Sequence, residues 1–332
     1  MPNNDSLTAV SGLNVGHWTD DKSPTGCTVV LCPPEGAVAS GDVRGGAPST
    51  RNTDLLLPGH LVERVHAVLL TGGSEFGHDA EAGVVRWLKE HGRGFLYPKG
   101  VLPIVCGGVI FDRSIGDPER WPGADTGYTA CQNGSAGPVE EGSVGAGAGA
   151  TVAKARGIER ALKGGVGTAA ERTTSGIVVG ALVVVNCWGE VTDPDNGRLI
   201  AGPRGEKPGT FESTVESMRA APPLSPFLAA AENTTLGVVA TDALLSKENA
   251  YRLAIMAQAG LARTIRPAHS PVDGDTIFAL ATGANELPTD LLQLGTLAAR
   301  AVERAIVRAV MQAKGVAGIP SVREWAGDGG KE

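Results

Sequence analysis

The pattern of apolar and polar positions predicts three helices. Across 294–310, apolar residues recur at i, i+3 and i+4 for more than four turns, which places them on one helical face. A second helix is predicted over 248–262, with Ser246 as its N-cap. A third follows Gly72, Gly73 and Ser74, and its buried face is predicted to carry Phe76, Ala80, Val84, Trp87 and Leu88.

Short β-branched runs bounded by Gly, Pro or Asp predict strands between these helices. The runs are 27–32, 66–70, 102–112, 177–186, 236–241 and 276–282. Several are apolar throughout, so we expect these strands to be covered on both faces. Two segments, 134–149 and 197–226, are rich in Gly, Ala or Pro and are predicted to be loops. We therefore expect one α/β unit over 1–332, with no clean domain boundary.

Composition and charge narrow the function classes. Hydrophobic residues make up 42% of the chain and the net charge is −7, so we expect a folded protein that binds neither nucleic acid nor an anionic membrane. Five scattered cysteines predict reduced thiols in a cytoplasmic protein. The N-terminus has no basic and apolar signal-peptide pattern, and the longest apolar run, 177–185, is too short to span a bilayer.

The sequence has no pattern typical of a metal or nucleotide site. The six His form no ligand cluster, and neither a P-loop nor a well-placed dinucleotide motif is present. We therefore expect no metal and no cofactor. Gly72 and Gly73 follow a predicted strand and precede a helix. Their backbone N–H groups are candidates for an anion or oxyanion site, with a tight turn as the alternative.

The stretch "AAENTTLGVVATDA" suggests a nucleophile. The chain has no Gly-x-Ser-x-Gly elbow and no cysteine signature. Thr234 lies just before the predicted strand 236–241. Attack of its hydroxyl on the carbonyl of Asn233 would cut the chain there, and the new α-amine would then serve as the base. The alternative is an Asx turn that opens the strand.

A pair of acidic residues adds to this hypothesis. Asp273 and Asp275 lie two residues apart and lead into a predicted strand, where i and i+2 share a face. Two carboxylates in one site repel each other, which pushes their pKa values apart. One carboxylate can hold an ammonium group while the other acts on a hydroxyl. The alternative is a solvated Asp-Gly-Asp turn.

The chain resembles the DmpA-type N-terminal-nucleophile peptidases, a family that includes β-aminopeptidases and NylC-type nylon-oligomer hydrolases. The resemblance runs over about 12–315 and rests on seven segments together: "TGCTVVL", "DVRGGAPSTRNTDLL", "LTGGSEFGHDAEAGVVRWL", "GAGATVAK", "KGGVGTA", "NTTLGVVATDA" and "VDGDTIFAL". It implies an αββα sandwich of two sheets between helix layers. It also implies autocleavage into chains 1–233 and 234–332, and assembly into a homo-oligomer of those pairs.

The resemblance also implies site residues. Asn233 and Thr234 match the scissile pair of the nylon-hydrolase branch, and Asp273 and Asp275 match its acidic pair. Its catalytic lysine is best matched by Lys154, with Lys163 as the competitor, and its strand-end asparagine by Asn186. Trp121 and Tyr128 are candidates to line the substrate pocket, with core packing as the alternative. The β-aminopeptidase branch usually cuts before Ser and carries a later Ser-x-Glu, where this sequence has Thr and Asp-x-Asp instead.

The sequence thus predicts a self-processing amidohydrolase that acts on short peptides or linear amide oligomers through a Thr234 acyl-enzyme. An aminopeptidase or β-aminopeptidase of the same family is one alternative. A second is an ornithine-acetyltransferase-like enzyme, whose Ala-Thr-Met-Leu signature is absent. A third is an uncleaved binding or assembly protein without catalysis.

Overall fold

A computed structural model of the chain describes residues 4–220 and 233–327. Within these ranges the helices are α1 (Ala80–Glu90), α2 (Ala124–Gln132), α3 (Thr214–Ala220), α4 (Lys247–Thr264), α5 (Leu291–Met311) and α6 (Val322–Ala326). The strands are β1 (Asn14–Thr19), β2 (Gly26–Leu31), β3 (Ala37–Val43), β4 (Thr50–Arg51), β5 (Arg64–Val65), β6 (Ala67–Thr71), β7 (Phe95–Tyr97), β8 (Gly100–Leu102), β9 (Val105–Val109), β10 (Thr151–Val152), β11 (Leu162–Lys163), β12 (Gly165–Arg172), β13 (Val178–Asn186), β14 (Glu190–Thr192), β15 (Leu199–Ala201), β16 (Thr234–Ala243), β17 (Ile265–Arg266) and β18 (Thr276–Asn285).

Two large sheets stack face to face. One has the order β1-β2-β6-β9-β4, and the other has the order β12-β13-β16-β18-β3-β5. In the second sheet β16 is antiparallel to β13 and parallel to β18. The strand that begins at Thr234 is therefore central and paired on both sides, which fixes its first residue in a rigid frame.

Helices cover the outer face of each sheet. Helices α4 and α5 pack on the six-stranded sheet, and α1 and α2 pack on the five-stranded sheet. Side chains of β16 alternate between two cores: Val238 and Ala240 lie between the sheets, while Val239 and Ala243 pack towards the helices. This double burial explains the uninterrupted apolar run. The predicted αββα sandwich is confirmed.

Several predicted elements have different bounds in the structure. The 248–262 helix is confirmed as α4, and Ser246 accepts a hydrogen bond from the N–H of Asn249. The 294–310 stripe is the buried face of α5. The strand predicted over 102–112 was too long, because only Val105–Val109 pairs with β6. A 3₁₀ helix, Ser74–Asp79, precedes α1, so Phe76 is half-exposed and does not join the buried stripe.

The sequence patterns missed three long strands and misjudged one loop. β1, β3 and β12 were not predicted, since their residues alternate weakly and include Gly, Ser and Asp. The loop predicted over 197–226 contains β15 and α3, and its residues 221–226 lie outside the described ranges. The Gly/Ala-rich loop at 134–149 contains a short 3₁₀ turn, Gly145–Gly147, and two isolated β-bridge residues, Ser135 and Gly142.

Candidate active site

Thr234 lies at the start of β16, opposite Asn186 at the end of β13. Both residues are buried. The Thr234 hydroxyl donates a hydrogen bond to the carbonyl oxygen of Asn233, the residue that precedes it. The N–H of Gly274 donates to the same carbonyl oxygen at 3.2 Å. The Asn233 carbonyl therefore lies between a hydroxyl and a backbone donor.

The Asp-Gly-Asp segment forms a loop just before β18 and packs directly beneath Thr234. Asp273 accepts hydrogen bonds from the Ser270 hydroxyl and from the N–H of Trp188, the latter at 3.2 Å. Asp275 accepts from the N–H of Thr235 at 3.0 Å and from the N–H of His269 at 2.7 Å. Each carboxylate is thus held by backbone donors, and both are about 1% exposed.

The environment of Asp273 changes the titration of its carboxyl group. Burial raises the pKa of Asp273 to about 6, and the negative charge of Asp275 adds to that rise. Hydrogen bonds from Ser270 and Trp188, together with the Lys154 ammonium, oppose it. The expected repulsion is therefore present, but the residues lie on a loop and not on the strand.

Lys154 and Asn186 form a second group of polar side chains at this end of β13. The Asn186 side-chain oxygen accepts from Lys154 Nζ at 3.1 Å and from the N–H of Thr151 at 2.9 Å. The Asn186 amide nitrogen donates to the carbonyl oxygen of Phe111 at 3.0 Å. These contacts fix the orientation of the Asn186 amide. They also place the Lys154 ammonium beside the residue that pairs with Thr234.

Lys163 lies in a different environment. Its ammonium is fully buried and donates to the carbonyl oxygens of Gly147, Ala150 and Gly164, at 3.1, 2.6 and 3.2 Å. Burial lowers the pKa of Lys163 to about 7, against the opposing charge of Asp112. These contacts are those of an ammonium that ties a loop to a strand. Of the two candidate lysines, the structure places Lys154 next to Asn186.

The glycine loop does not present the expected free N–H groups. The N–H of Gly72 donates to the Gly26 carbonyl oxygen at 2.8 Å. The N–H of Gly73 donates to the Asp112 carboxylate at 2.7 Å. A Cβ at position 72 would lie 2.0 Å from Asp112 Oδ2. The prediction of free anion donors at Gly72 and Gly73 is therefore corrected in favour of the tight-turn alternative, in which glycine permits close packing.

The two candidate pocket aromatics lie in different places. Tyr128 is on α2, donates to Glu90 of α1 at 2.7 Å and has the Arg86 guanidinium 4.6 Å from its ring centroid. The structure does not bring Tyr128 to Thr234. Trp121 lies against Phe76, with the ring centroids 4.9 Å apart and the ring planes tilted by 34°.

Sequence reasoning missed the residues that hold the acidic loop against Thr234. A Cβ at Gly274 would lie 2.7 Å from Thr234 Oγ1, so only glycine allows this approach. The loop after β3 also holds the Asp-Gly-Asp segment in place. The N–H of Arg44 donates to the carbonyl oxygen of Asp275, and the N–H of Ala47 donates to that of Asp273, both at 2.9 Å. The two adjacent glycines in "DVRGGAPS" could have indicated a close approach of two backbone segments. A Cβ at Gly45 would lie 2.2 Å from the Asp273 carbonyl oxygen.

The described part of the chain shows neither a metal-binding cluster nor a membrane-spanning helix. Among residues 4–220 and 233–327, no group of three or more His, Cys, Asp or Glu side chains is arranged to hold a metal ion. In the same ranges, no helix is long and apolar enough to cross a membrane.

Comparison with known proteins gives consistent results over nearly the whole chain. The model of peptidase family S58 matches residues 5–323. An uncharacterised aminopeptidase of Mycobacterium tuberculosis is 44% identical, over 96% of this chain and 97% of its own length. A 6-aminohexanoate-oligomer endohydrolase of Paenarthrobacter ureafaciens is 31% identical, over 84% of this chain and 75% of its own. One similar solved structure is the L-aminopeptidase D-Ala-esterase/amidase of Ochrobactrum anthropi, which is described as a variant of the Ntn-hydrolase fold. It aligns with a TM-score of 0.66 at 22% identity, and the alignment covers 94% of this chain and 87% of that one.

Proposed function

Because the chain belongs to peptidase family S58, we propose that it is an amidohydrolase that cuts itself before Thr234 and then uses Thr234 as its N-terminal nucleophile. Membership of the family supports peptidase or amidohydrolase chemistry in general. The self-cleavage, the threonine nucleophile and the roles given below to individual side chains are our proposal.

One observation carries the proposal: the Thr234 hydroxyl contacts the carbonyl group of the bond to be cut, and Gly274 donates an N–H to the oxygen of that group. In the first step Thr234 Oγ1 attacks the carbonyl carbon of Asn233, and the developing negative charge on the oxygen is stabilised by the Gly274 N–H. The C–N bond then breaks, the nitrogen takes up the hydroxyl proton, and an ester joins Asn233 to Thr234. Water hydrolyses this ester to the Asn233 carboxylate and a free Thr234 hydroxyl.

Turnover reuses the same groups. The new α-amine of Thr234, whose ordinary pKa is about 7.7–8.0, takes the hydroxyl proton as Oγ1 attacks a substrate amide. Asp273 and Asp275 balance the charge of this amine when it is protonated. Lys154 and Asn186 stabilise negative charge on the substrate oxygen. Water then releases the acyl group.

Short peptides or linear amide oligomers are the proposed substrates. The relatives are described as aminopeptidases and as 6-aminohexanoate-oligomer endohydrolases, so cleavage at the chain end and cleavage within the oligomer both fall in this proposal. Product analysis with free and N-acetylated aminohexanoate oligomers separates the two modes, because an aminopeptidase requires the free amine. We further propose that the cleaved 1–233 and 234–332 pairs form a homo-oligomer, which light scattering tests.

N-terminal sequencing tests the central step. The purified protein should give two fragments on a denaturing gel, and the smaller should begin Thr-Thr-Leu-Gly. Thr234→Ala should remain one folded, inactive chain. Thr235→Ala is the matched control, because the Thr235 hydroxyl has no hydrogen-bond partner in the described residues, and it should still be cut. An active protein that remains uncut, or a Thr234→Ala variant that still splits, would overturn the proposal.

A further inference from the structure

We propose that Arg113, together with Phe76 and Trp121, forms a subsite that binds a free carboxylate of the substrate. The inference rests on the proposed function, since it names the substrate class of the same site: linear amides that end in a carboxylate. We call these three side chains the Arg113 cluster.

The Arg113 cluster lies next to the candidate active site. Phe111, two residues before Arg113, accepts the Asn186 amide N–H through its carbonyl oxygen at 3.0 Å, and Asn186 pairs with Thr234. Phe76 lies in the 3₁₀ helix that follows β6, and Arg113 follows β9. Because β6 and β9 are parallel neighbours, the segments that follow them leave the sheet at the same edge.

In the Arg113 cluster the guanidinium lies against two aromatic rings. The Arg113 Cζ lies 4.6 Å from the Phe76 ring centroid and 5.5 Å from the Trp121 ring centroid. Arg113 itself is only partly buried. A guanidinium that stacks on aromatic faces keeps its N–H groups in its own plane, where they can bind a carboxylate with two parallel hydrogen bonds.

Arg113 also lacks a counter-charge. Its Nη1 is buried without a hydrogen-bond partner, and none of the ion pairs among the described residues includes Arg113. The neighbouring carboxylates bind other groups: Asp79 accepts from the Trp121 indole, and Glu75 accepts from the Ser49 hydroxyl. A partly buried cation without a partner is unfavourable, so an arriving carboxylate would gain the full charge-assisted interaction.

The other arginines that stack on aromatic rings are different. Arg86, over Tyr128, pairs with Asp125 at 3.0 Å. Arg93 donates to the carbonyl oxygen of Cys32, and Arg204 donates to that of Glu159. Within residues 4–220 and 233–327, Arg113 is thus the stacked guanidinium that has neither an ion pair nor a hydrogen bond. This contrast also supplies the control variant, Arg86→Gln.

Calorimetric binding tests the subsite without depending on catalysis. The probes are 6-acetamidohexanoate and its terminal carboxamide, which has the same shape but no charge. Wild-type protein should bind the carboxylate at least about tenfold more tightly than the carboxamide, as expected for a charged hydrogen-bonded pair. Arg113→Gln should abolish this preference. Arg86→Gln should keep it, and thermal unfolding should show that both variants are folded.

Kinetics then separates this proposal from the proposed function. With aminohexanoate dimer and its terminal amide as substrates, Arg113→Gln should raise KM about tenfold for the dimer only, with kcat little changed. Equal binding of the two probes by wild type, or an unchanged preference in Arg113→Gln, overturns the carboxylate subsite even if the enzyme cuts itself and hydrolyses amides. A carboxylate preference in a protein that never cuts itself would support the subsite and overturn the Thr234 mechanism instead.

Discussion

Gly274→Ala tests whether the close approach of the acidic loop to Thr234 is needed for self-cleavage. The new Cβ would lie 2.7 Å from Thr234 Oγ1, 2.9 Å from the carbonyl oxygen of Ala47 and 3.2 Å from Pro48 Cα. Ordinary contacts of a Cβ begin at 3.4 Å. The Thr234 hydroxyl or the loop must therefore move by several tenths of an ångström, and the Gly274 N–H moves with the loop.

The size of the effect follows from this displacement. A shift of about 1 Å in a reacting group costs about 100-fold in rate, which corresponds to ~2.7 kcal/mol of barrier. Extra atoms in a packed site cost about 1–3 kcal/mol of folding stability. We therefore expect Gly274→Ala to fold with reduced stability and to cut itself up to about 100-fold more slowly than wild type.

The assay is a chase after cell-free synthesis, in which fragments 1–233 and 234–332 are quantified over time on a denaturing gel. Gly123→Ala is the control, because a Cβ there meets nothing within 4 Å and its φ of −120° suits any residue. Thermal unfolding of each uncut chain checks that it is folded. A folded Gly274→Ala protein that matches the cleavage rate of wild type would refute the reasoning.

The remaining predictions concern the charged groups. In cleaved protein, Asp273→Asn should lower kcat/KM by about 10²–10³. The variant should also lose any rise in activity near pH 6, because the raised pKa of Asp273, about 6, places the ionisation of its carboxyl group there. Lys154→Met should abolish activity, because the ammonium beside Asn186 is lost. Lys163→Met should destabilise the fold by about 3–5 kcal/mol, since three buried carbonyl oxygens lose their donor. The pKa of Lys163 is about 7 in the folded protein and about 10.4 when unfolded, so the unfolded chain binds more protons in between. The free energy of unfolding should therefore rise between pH 7 and pH 10 through Lys163, and Lys163→Met should lack this part of the rise. Denaturant titrations of both proteins at pH 7 and pH 10 measure the difference.

Features that depend on local spacing could be predicted from the amino-acid sequence alone. The 3.6-residue periodicity of α5, the Ser246 cap of α4 and the apolar run of β16 each involve residues close together in the chain, so they can be read without knowing the fold. Asp273 and Asp275 were identified as a pair for the same reason. The family, and with it the αββα sandwich, followed from several such segments taken together.

Which distant residues share the site depends on strand register and long-range packing. Asn186 faces Thr234 because of the register between β13 and β16, and a shift by one residue would turn every side chain to the other face. Lys154 and Lys163 are nine positions apart in similar Gly-rich surroundings, and only their contacts with Asn186 and with three backbone carbonyls separate them. The N–H groups of Gly72 and Gly73 looked available in the sequence, but residues from other parts of the chain accept their hydrogen bonds. Local patterns encode helices, strands and turns, whereas the partner of a buried polar group is set by long-range packing, which a single sequence does not display.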